Sequence, residues 1–129
     1  MAPAIPDETL SKVLEKIQLQ VYQTNQQLAA VRAQIGARER EAKLNTLTLS
    51  ELQAIQDANA PFYRSVGKMF IQDSQHAVLA DLTAKHQTIT ADIDALTKKQ
   101  KYLTKQSQDA QAHLKDIFTS VNRQQQQQA

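Results

Sequence analysis

Apolar side chains in the first third of the chain recur at alternating spacings of four and three residues. Eight of ten such positions are apolar, and the ten are Leu10, Leu14, Ile17, Val21, Thr24, Leu28, Val31, Ile35, Arg38 and Ala42. A sustained repeat of about 3.5 residues is typical of a coiled-coil seam rather than of the broad face of a globular helix. The pattern predicts a helix over 8–45. Asp7 is its candidate N-cap, because an aspartate there accepts hydrogen bonds from the free amides of the first turn.

A second seam of the same kind occupies the C-terminal half of the chain. Ten of its thirteen positions are apolar, and the thirteen are Leu79, Leu82, His86, Ile89, Ile93, Leu96, Gln100, Leu103, Ser107, Ala110, Leu114, Ile117 and Val121. This seam predicts a longer helix over 74–122, and Asp73 or Ser74 can cap its start.

Neither helix can bury its seam alone, and the connection between them is short for a parallel return, so we expect the two to pack antiparallel. Their register is predicted from the polar seam positions, since buried polar groups need polar partners. If facing residue numbers sum to 124, Arg38 faces His86 and Thr24 faces Gln100. The one poor match in this register is Ser107 against Ile17.

The segment between the helices carries a different pattern. Thr48 and Glu51 fit a capping box, which predicts a short helix over 49–58 that Pro61 ends. Three of the six aromatic residues then fall within 62–72. Gly67 and Lys68 separate two β-prone runs, which predicts strands over 62–66 and 69–72 joined by a type II′ turn. Because a lone two-stranded hairpin is marginal in water, this segment also predicts oligomerisation.

Composition agrees with a helical rod. The chain has 129 residues with only two glycines and three prolines. These are too few for the many turns of a sandwich, barrel or doubly wound α/β fold, so those fold classes are excluded. The predicted fold class is mainly α: a single domain over 1–129, built as a long antiparallel helical hairpin with a small β-hairpin between the helices. The Gln-rich tail over 123–129 is predicted to be disordered.

No pattern in the sequence indicates catalysis, so we expect neither an enzyme nor a cofactor. There is no cysteine, and His76, His86 and His113 lack the spacing of a helical metal site, so no metal is expected. The net charge of +2 predicts little affinity for nucleic acid or membranes, and no apolar run is long enough to span a bilayer. The cluster of Lys98, Lys99, Lys101 and Lys105 is typical of a solvated face.

The predicted hairpin brings both chain ends together at a tip with extra apolar residues. Val13, Leu19 and Phe118 lie there beside the strict seam. This pattern fits ordinary fraying ends, and it also fits an exposed adhesive surface. Periodicity leaves both readings open.

The order of these elements resembles a known family. Residues 63–77 read Tyr-Arg-Ser-Val-Gly-Lys-Met-Phe-Ile-Gln-Asp-Ser-Gln-His-Ala, which is similar to the hairpin-to-helix segment of β-type prefoldin subunits. The architectural resemblance covers 8–122, and the specific motif covers 61–82. The glycine inside the first helix, Gly36, and the polyglutamine tail depart from the family pattern.

The resemblance implies a co-chaperone role that needs no nucleotide. Prefoldin is a heterohexamer of two α-type and four β-type subunits, so this chain would assemble with two α-type and three further β-type partners. Its arms would hold unfolded proteins such as actin and tubulin and deliver them to the cytosolic group II chaperonin. A cytoplasmic location is implied, and a nuclear pool is left open.

The resemblance also implies two sets of site residues. The family's hairpins join into a double β-barrel platform, which would here use Phe62, Tyr63, Val66, Gly67, Met69, Phe70 and Ile71. The tips of the family's coiled-coil arms bind clients by exposed apolar surface, here from Leu10, Val13, Leu14, Ile17, Leu114, Ile117, Phe118 and Val121. The alternatives are a structural coiled-coil scaffold without chaperone activity and a helical arm that binds nucleic acid through the lysines. The aromatic insert disfavours the first alternative, and the near-neutral charge disfavours the second.

Overall fold

The structure is a computed structural model, and it describes residues 7–127. Along the chain, a two-stranded sheet lies between two long helices, in the order α1 (Asp7–Gln53), β1 (Phe62–Val66), β2 (Met69–Asp73) and α2 (Gln75–Gln127). This is the predicted fold class. Every position of both predicted seams is buried or half-buried, as a coiled-coil seam requires.

Helix α1 is longer than predicted, and the separate short helix over 49–58 is wrong. The helix continues without a break to Gln53, because no glycine or proline interrupts 37–60. Thr48 does not cap a new helix; its hydroxyl donates to the carbonyl of Leu44 one turn earlier, at 2.9 Å. The last turn tightens at the bond from the amide of Ile55 to the carbonyl of Leu52, at 3.2 Å.

The start of helix α2 agrees with the prediction, but its end does not. Its start is confirmed: Ser74 caps it, with its hydroxyl accepting from the amide of Ala77 at 3.1 Å. Its end was predicted at 122 with a disordered tail beyond, but the helix continues to Gln127. Glutamine is a good helix former and no breaker follows Ser120, so the first turns of the tail extend the helix. Residues 128–129 lie outside the described residues.

The β-hairpin lies close to its predicted bounds. Strand β1 matches the prediction, and β2 ends one residue later, at Asp73. Gly67 has a φ of +63°, and it alone among the described residues has a positive φ. A positive φ at the first central position only, with Lys68 in the ordinary region, is the signature of the predicted type II′ turn.

The described residues form two compact units, and the single domain over 1–129 stays a prediction. The first, called here the terminal unit, comprises the described residues of 1–32 and 98–129; the second, the hairpin unit, comprises 33–97. Side chains in paired helices contact only near neighbours along the axis, so long helices do not form one common core. The terminal unit buries Leu28, Val31, Leu103 and Ala110, and the hairpin unit buries Phe62 and Ile89.

The predicted helix register is wrong in both units. In the terminal unit, Ser107 does not face Ile17; its hydroxyl donates to Oδ1 of Asn25 at 3.0 Å, a pair whose numbers sum to 132. In the hairpin unit, the predicted register places Arg38 opposite His86. A guanidinium nitrogen of Arg38 instead lies 3.7 Å from the carboxylate of Asp92, further along α2. A slip of one heptad keeps apolar positions facing apolar positions, so the seams alone do not decide between registers.

Candidate functional site

The β-hairpin exposes most of its apolar side chains. Its exposed set, called here the hairpin surface, consists of Tyr63, Val66, Met69, Phe70 and Ile71, with exposed fractions between 49% and 74%. In the register, Val66 pairs with Met69 and Ser65 with Phe70. Successive pairs face opposite sides of a sheet, so apolar side chains project from both faces. Because this sheet has only two strands, both outer edges also have unpaired backbone groups.

Two predicted platform residues lie outside the hairpin surface. Phe62, the first residue of β1, is 6% exposed and is thus buried within its own chain, and its part in a platform stays a prediction. Gly67 supplies the turn, and a side chain there would be strained by its positive φ although space is open around it.

An arginine fixes the hairpin to the start of α2. Nε of Arg64 on β1 donates to Asp73 at 2.8 Å, and its Nη2 contacts the Asp81 carboxylate one element further on. The hydrogen bond from Arg64, and then that from the Ser74 amide, holds the pKa of Asp73 below its ordinary value of 3.8. The same bonds to Asp73 and Asp81 raise the pKa of Arg64.

A glutamine secures the loop before the hairpin in a similar way. Nε2 of Gln75 donates to the carbonyl of Asp57 at 2.9 Å and to that of Ala60 at 2.8 Å. These bonds and the arginine contacts leave the hairpin little freedom to move against the first turns of α2.

A groove in the terminal unit brings together half of the predicted client-binding residues. This terminal groove has a volume of about 480 Å³, and its apolar lining, called here the floor, comprises Leu10, Val13, Ile117 and Val121. Its polar lining, called here the rim, comprises Asp7, His113, Asp116, Ser120, Gln124 and Gln125. A concave surface that combines apolar and polar side chains suits reversible binding of apolar side chains.

The other predicted client residues lie apart from that groove. Ile17 lines a second, smaller cavity of about 240 Å³ together with Ala110 and His113. Leu14 and Leu114 are half-buried in the seam, and Phe118 is 47% exposed without lining either cavity. The terminal groove therefore brings together four of the eight predicted tip residues, and the client-binding role of all eight stays a prediction.

Sequence reasoning missed three polar features. Asn45 is 5% exposed and donates from Nδ2 to the carbonyl of Leu82 at 2.9 Å. Continuing the first seam by three residues beyond Ala42 reaches Asn45, so the signal was present. The Arg64 contacts and the two carboxylates at the groove rim left no comparable periodic signal.

Two properties of the described residues bear on the class of function. Among residues 7–127, no helix combines the length and the apolarity that crossing a membrane requires. Within the same part of the chain, no group of three or more His, Asp and Glu side chains is arranged to hold a metal ion.

Comparison with known proteins gives one consistent family. The family described as prefoldin subunit matches residues 15–121. A probable prefoldin subunit 1 from Schizosaccharomyces pombe is 33% identical over 88% of this chain and 100% of its own length. Human prefoldin subunit 1 is 28% identical over 87% of this chain and 91% of its own length. Both relatives are named subunit 1, which is also the eukaryotic paralogue that the hairpin-to-helix motif at 63–77 resembles.

A solved structure supports the fold. The prefoldin beta subunit from Thermococcus strain KS-1 superposes with a TM-score of 0.74 at 21% sequence identity, covering 90% of this chain and 96% of its own. At that identity the likeness concerns the fold. The prefoldin family is not one of enzymes. Given a family match across most of the chain and a full-length relative above the level of chance similarity, the protein belongs to the prefoldin subunit family.

Proposed function

We propose that this chain is a subunit of a heterohexameric prefoldin, with two α-type and three further β-type subunits as its partners. The hairpin surface carries this proposal. Five apolar side chains project from both faces of a sheet whose two edges are also unpaired. Neighbouring hairpins would cover the faces and extend the edges, and the resulting burial supplies the main free energy of assembly.

Native mass spectrometry of the tagged chain, purified gently from its own cells, tests the assembly. A particle of six small helical chains supports the proposal. A homodimer or a complex with one large partner contradicts it and favours the structural coiled-coil scaffold, the second candidate function.

We further propose that the terminal groove binds unfolded proteins such as actin and tubulin and that the assembly passes them to the group II chaperonin in the cytoplasm. Each apolar client side chain that the groove buries contributes about 1.5–3 kcal/mol at most. One arm therefore binds weakly, and several arms on one particle bind usefully through avidity. No nucleotide is needed if the client moves to a receptor that binds it more tightly.

Replacing Ile117→Ser, on the groove floor, together with Phe118→Ser, the exposed side chain next to it in the chain, tests client binding. We expect an intact hexamer that suppresses the aggregation of an unfolded client less well. The matched control is Tyr22→Ser with Tyr102→Ser, which removes two exposed aromatic side chains from the same unit outside the groove and away from the predicted tip residues. Equal suppression by the wild type and by Ile117→Ser/Phe118→Ser contradicts a client role for this surface.

A further inference from the structure

The rim of the terminal groove includes two carboxylates beside the apolar floor. Asp7 and Asp116 both line it, and His113 is the only other titratable side chain in its lining. Neither aspartate takes part in the ion pairs that the described residues form. The nearby charged residues Lys12, Lys115 and Arg123 do not line the groove.

The two carboxylates come from different helices. Asp7 is the first residue of α1, and Asp116 precedes the floor residue Ile117 on α2. A segment bound along the floor is therefore exposed to negative charge contributed by both helices. Such charge attracts a Lys or Arg in the bound segment and disfavours an Asp or Glu, so it selects among segments of equal apolarity.

We propose that this groove selects unfolded segments in which a short apolar run adjoins Lys or Arg, an inference that rests on the proposed client role of the groove. The floor supplies affinity through burial, and its volume of about 480 Å³ takes only a few aliphatic side chains. The rim supplies the preference for Lys or Arg, because exposed ion pairs with its carboxylates add a modest, salt-dependent binding free energy. The occupant is thus defined by both apolar content and positive flanking charge.

Site-specific photo-crosslinking in the assembled hexamer tests this selection. A photo-reactive benzoylphenylalanine in place of Gln124, at the groove edge, reports binding to this chain alone. The probes are three labelled peptides with the same Leu-Val-Phe-Leu core, flanked on both sides by Lys, by Gln or by Glu. We expect crosslinking to fall in that order, with about two- to tenfold between Lys and Glu flanks at low salt and less at high salt.

The key variant is Asp7→Asn with Asp116→Asn. It removes both charges at constant size, and asparagine suits a helix start about as well as aspartate. We expect it to bring the three peptides close to equal yield. The matched control is Glu15→Gln with Asp94→Asn, two exposed carboxylates outside the groove, and it should keep the wild-type order.

The outcomes separate this inference from the proposed function. Equal crosslinking of all three peptides to the wild type overturns the charge selection and leaves client binding in place. No crosslinking to this chain, while the hexamer binds the peptides elsewhere, overturns both. A crosslink from position 124 to residues 1–6 of the same chain, in place of the peptide, overturns the inference by giving the groove an internal occupant.

Discussion

The hairpin surface and the terminal groove are both apolar, but they expose their side chains very differently. On the hairpin surface, Phe70 is 74% exposed and Met69 66% exposed. On the groove floor, only Val13 is exposed, at 40%, whereas Leu10, Ile117 and Val121 are half-buried. The side chains of the hairpin surface project into solvent from a sheet anchored to α2, whereas the groove is concave with a polar rim.

This difference teaches which surface suits a permanent partner. Large apolar side chains that project from both faces of a sheet remain in contact with water until other chains cover them. The separated subunit therefore has a higher free energy than a subunit whose hairpin is covered. A half-buried groove floor already has part of its surface covered within the chain and gains less from a partner. The contrast is consistent with the roles proposed above, strong assembly through the hairpin and weak, reversible binding through the groove.

The largest expected effect comes from placing a charge on the hairpin surface. Phe70→Asp would bury an unpaired carboxylate in the assembly, at a cost of about 3 kcal/mol or more. We expect the hexamer to be lost, with assembly weakened by more than about 100-fold as measured by native mass spectrometry. Tyr102→Asp, at a similarly exposed aromatic of the terminal unit, is the matched control and should assemble normally. Normal assembly of the Phe70 variant would refute the hairpin interface.

Disulfide trapping tests the helix pairing on which the groove is built. The chain has no cysteine, so each engineered pair is unique within it. The bond between Asn25 and Ser107 implies that Leu28 faces Leu103, three residues on along α1 and four back along α2. We expect Leu28→Cys with Leu103→Cys to oxidise readily within the hexamer and Ile17→Cys with Ser107→Cys to remain reduced. The reverse result would restore the register in which facing numbers sum to 124.

A smaller effect is expected from Asn45, a buried amide side chain of the hairpin unit. Asn45→Ala removes the hydrogen bond to the carbonyl of Leu82 and should cost about 1–2 kcal/mol of local stability. Faster amide hydrogen exchange in this part of α1, measured in the assembled protein, would report the loss. The control is Thr48→Ala, three residues away, whose hydroxyl bonds only within its own helix. Similar exchange in both variants would argue against a stabilising role for Asn45.

The smallest effect concerns the anchor of the hairpin and depends on pH. The pKa of Asp73 is lower in the folded chain than its ordinary value of 3.8, so its contact with Arg64 stabilises the fold above that pH. This contribution is lost as the pH falls through the lowered folded pKa. We expect Arg64→Gln to reduce the urea concentration that releases this chain from the hexamer at neutral pH, and the difference from wild type to vanish in acid. A difference that does not change with pH would contradict the role of this ion pair.

Particular elements show how far the sequence could predict the structure. Both seams and the type II′ hairpin were predictable, because each depends on residues close together in the chain. The break in α1 was predicted from the Thr48 capping pattern and is wrong, since that hydroxyl bonds back to Leu44 instead. The Gln-rich composition of the tail predicted disorder, but glutamine is a good helix former, and α2 continues to Gln127.

The candidate site divides in the same way. The motif at 63–77 indicated the family, and it contains all five residues of the hairpin surface. Only the structure distinguishes the buried Phe62, just before the motif, from these exposed residues. Of the eight predicted client residues, four form the groove floor, because helix register decides which side chains of α1 and α2 meet.

By itself, therefore, the sequence determined the helices, the hairpin turn and the family, since these follow from local periodicity and from residue types at short spacings. Only the tertiary structure decided the register, marked by the bond of Ser107 to Asn25, and with it the floor and acidic rim of the terminal groove. The physical reason is that a heptad repeat looks the same after a shift of one heptad. The choice between such registers depends on polar contacts between residues far apart in the chain.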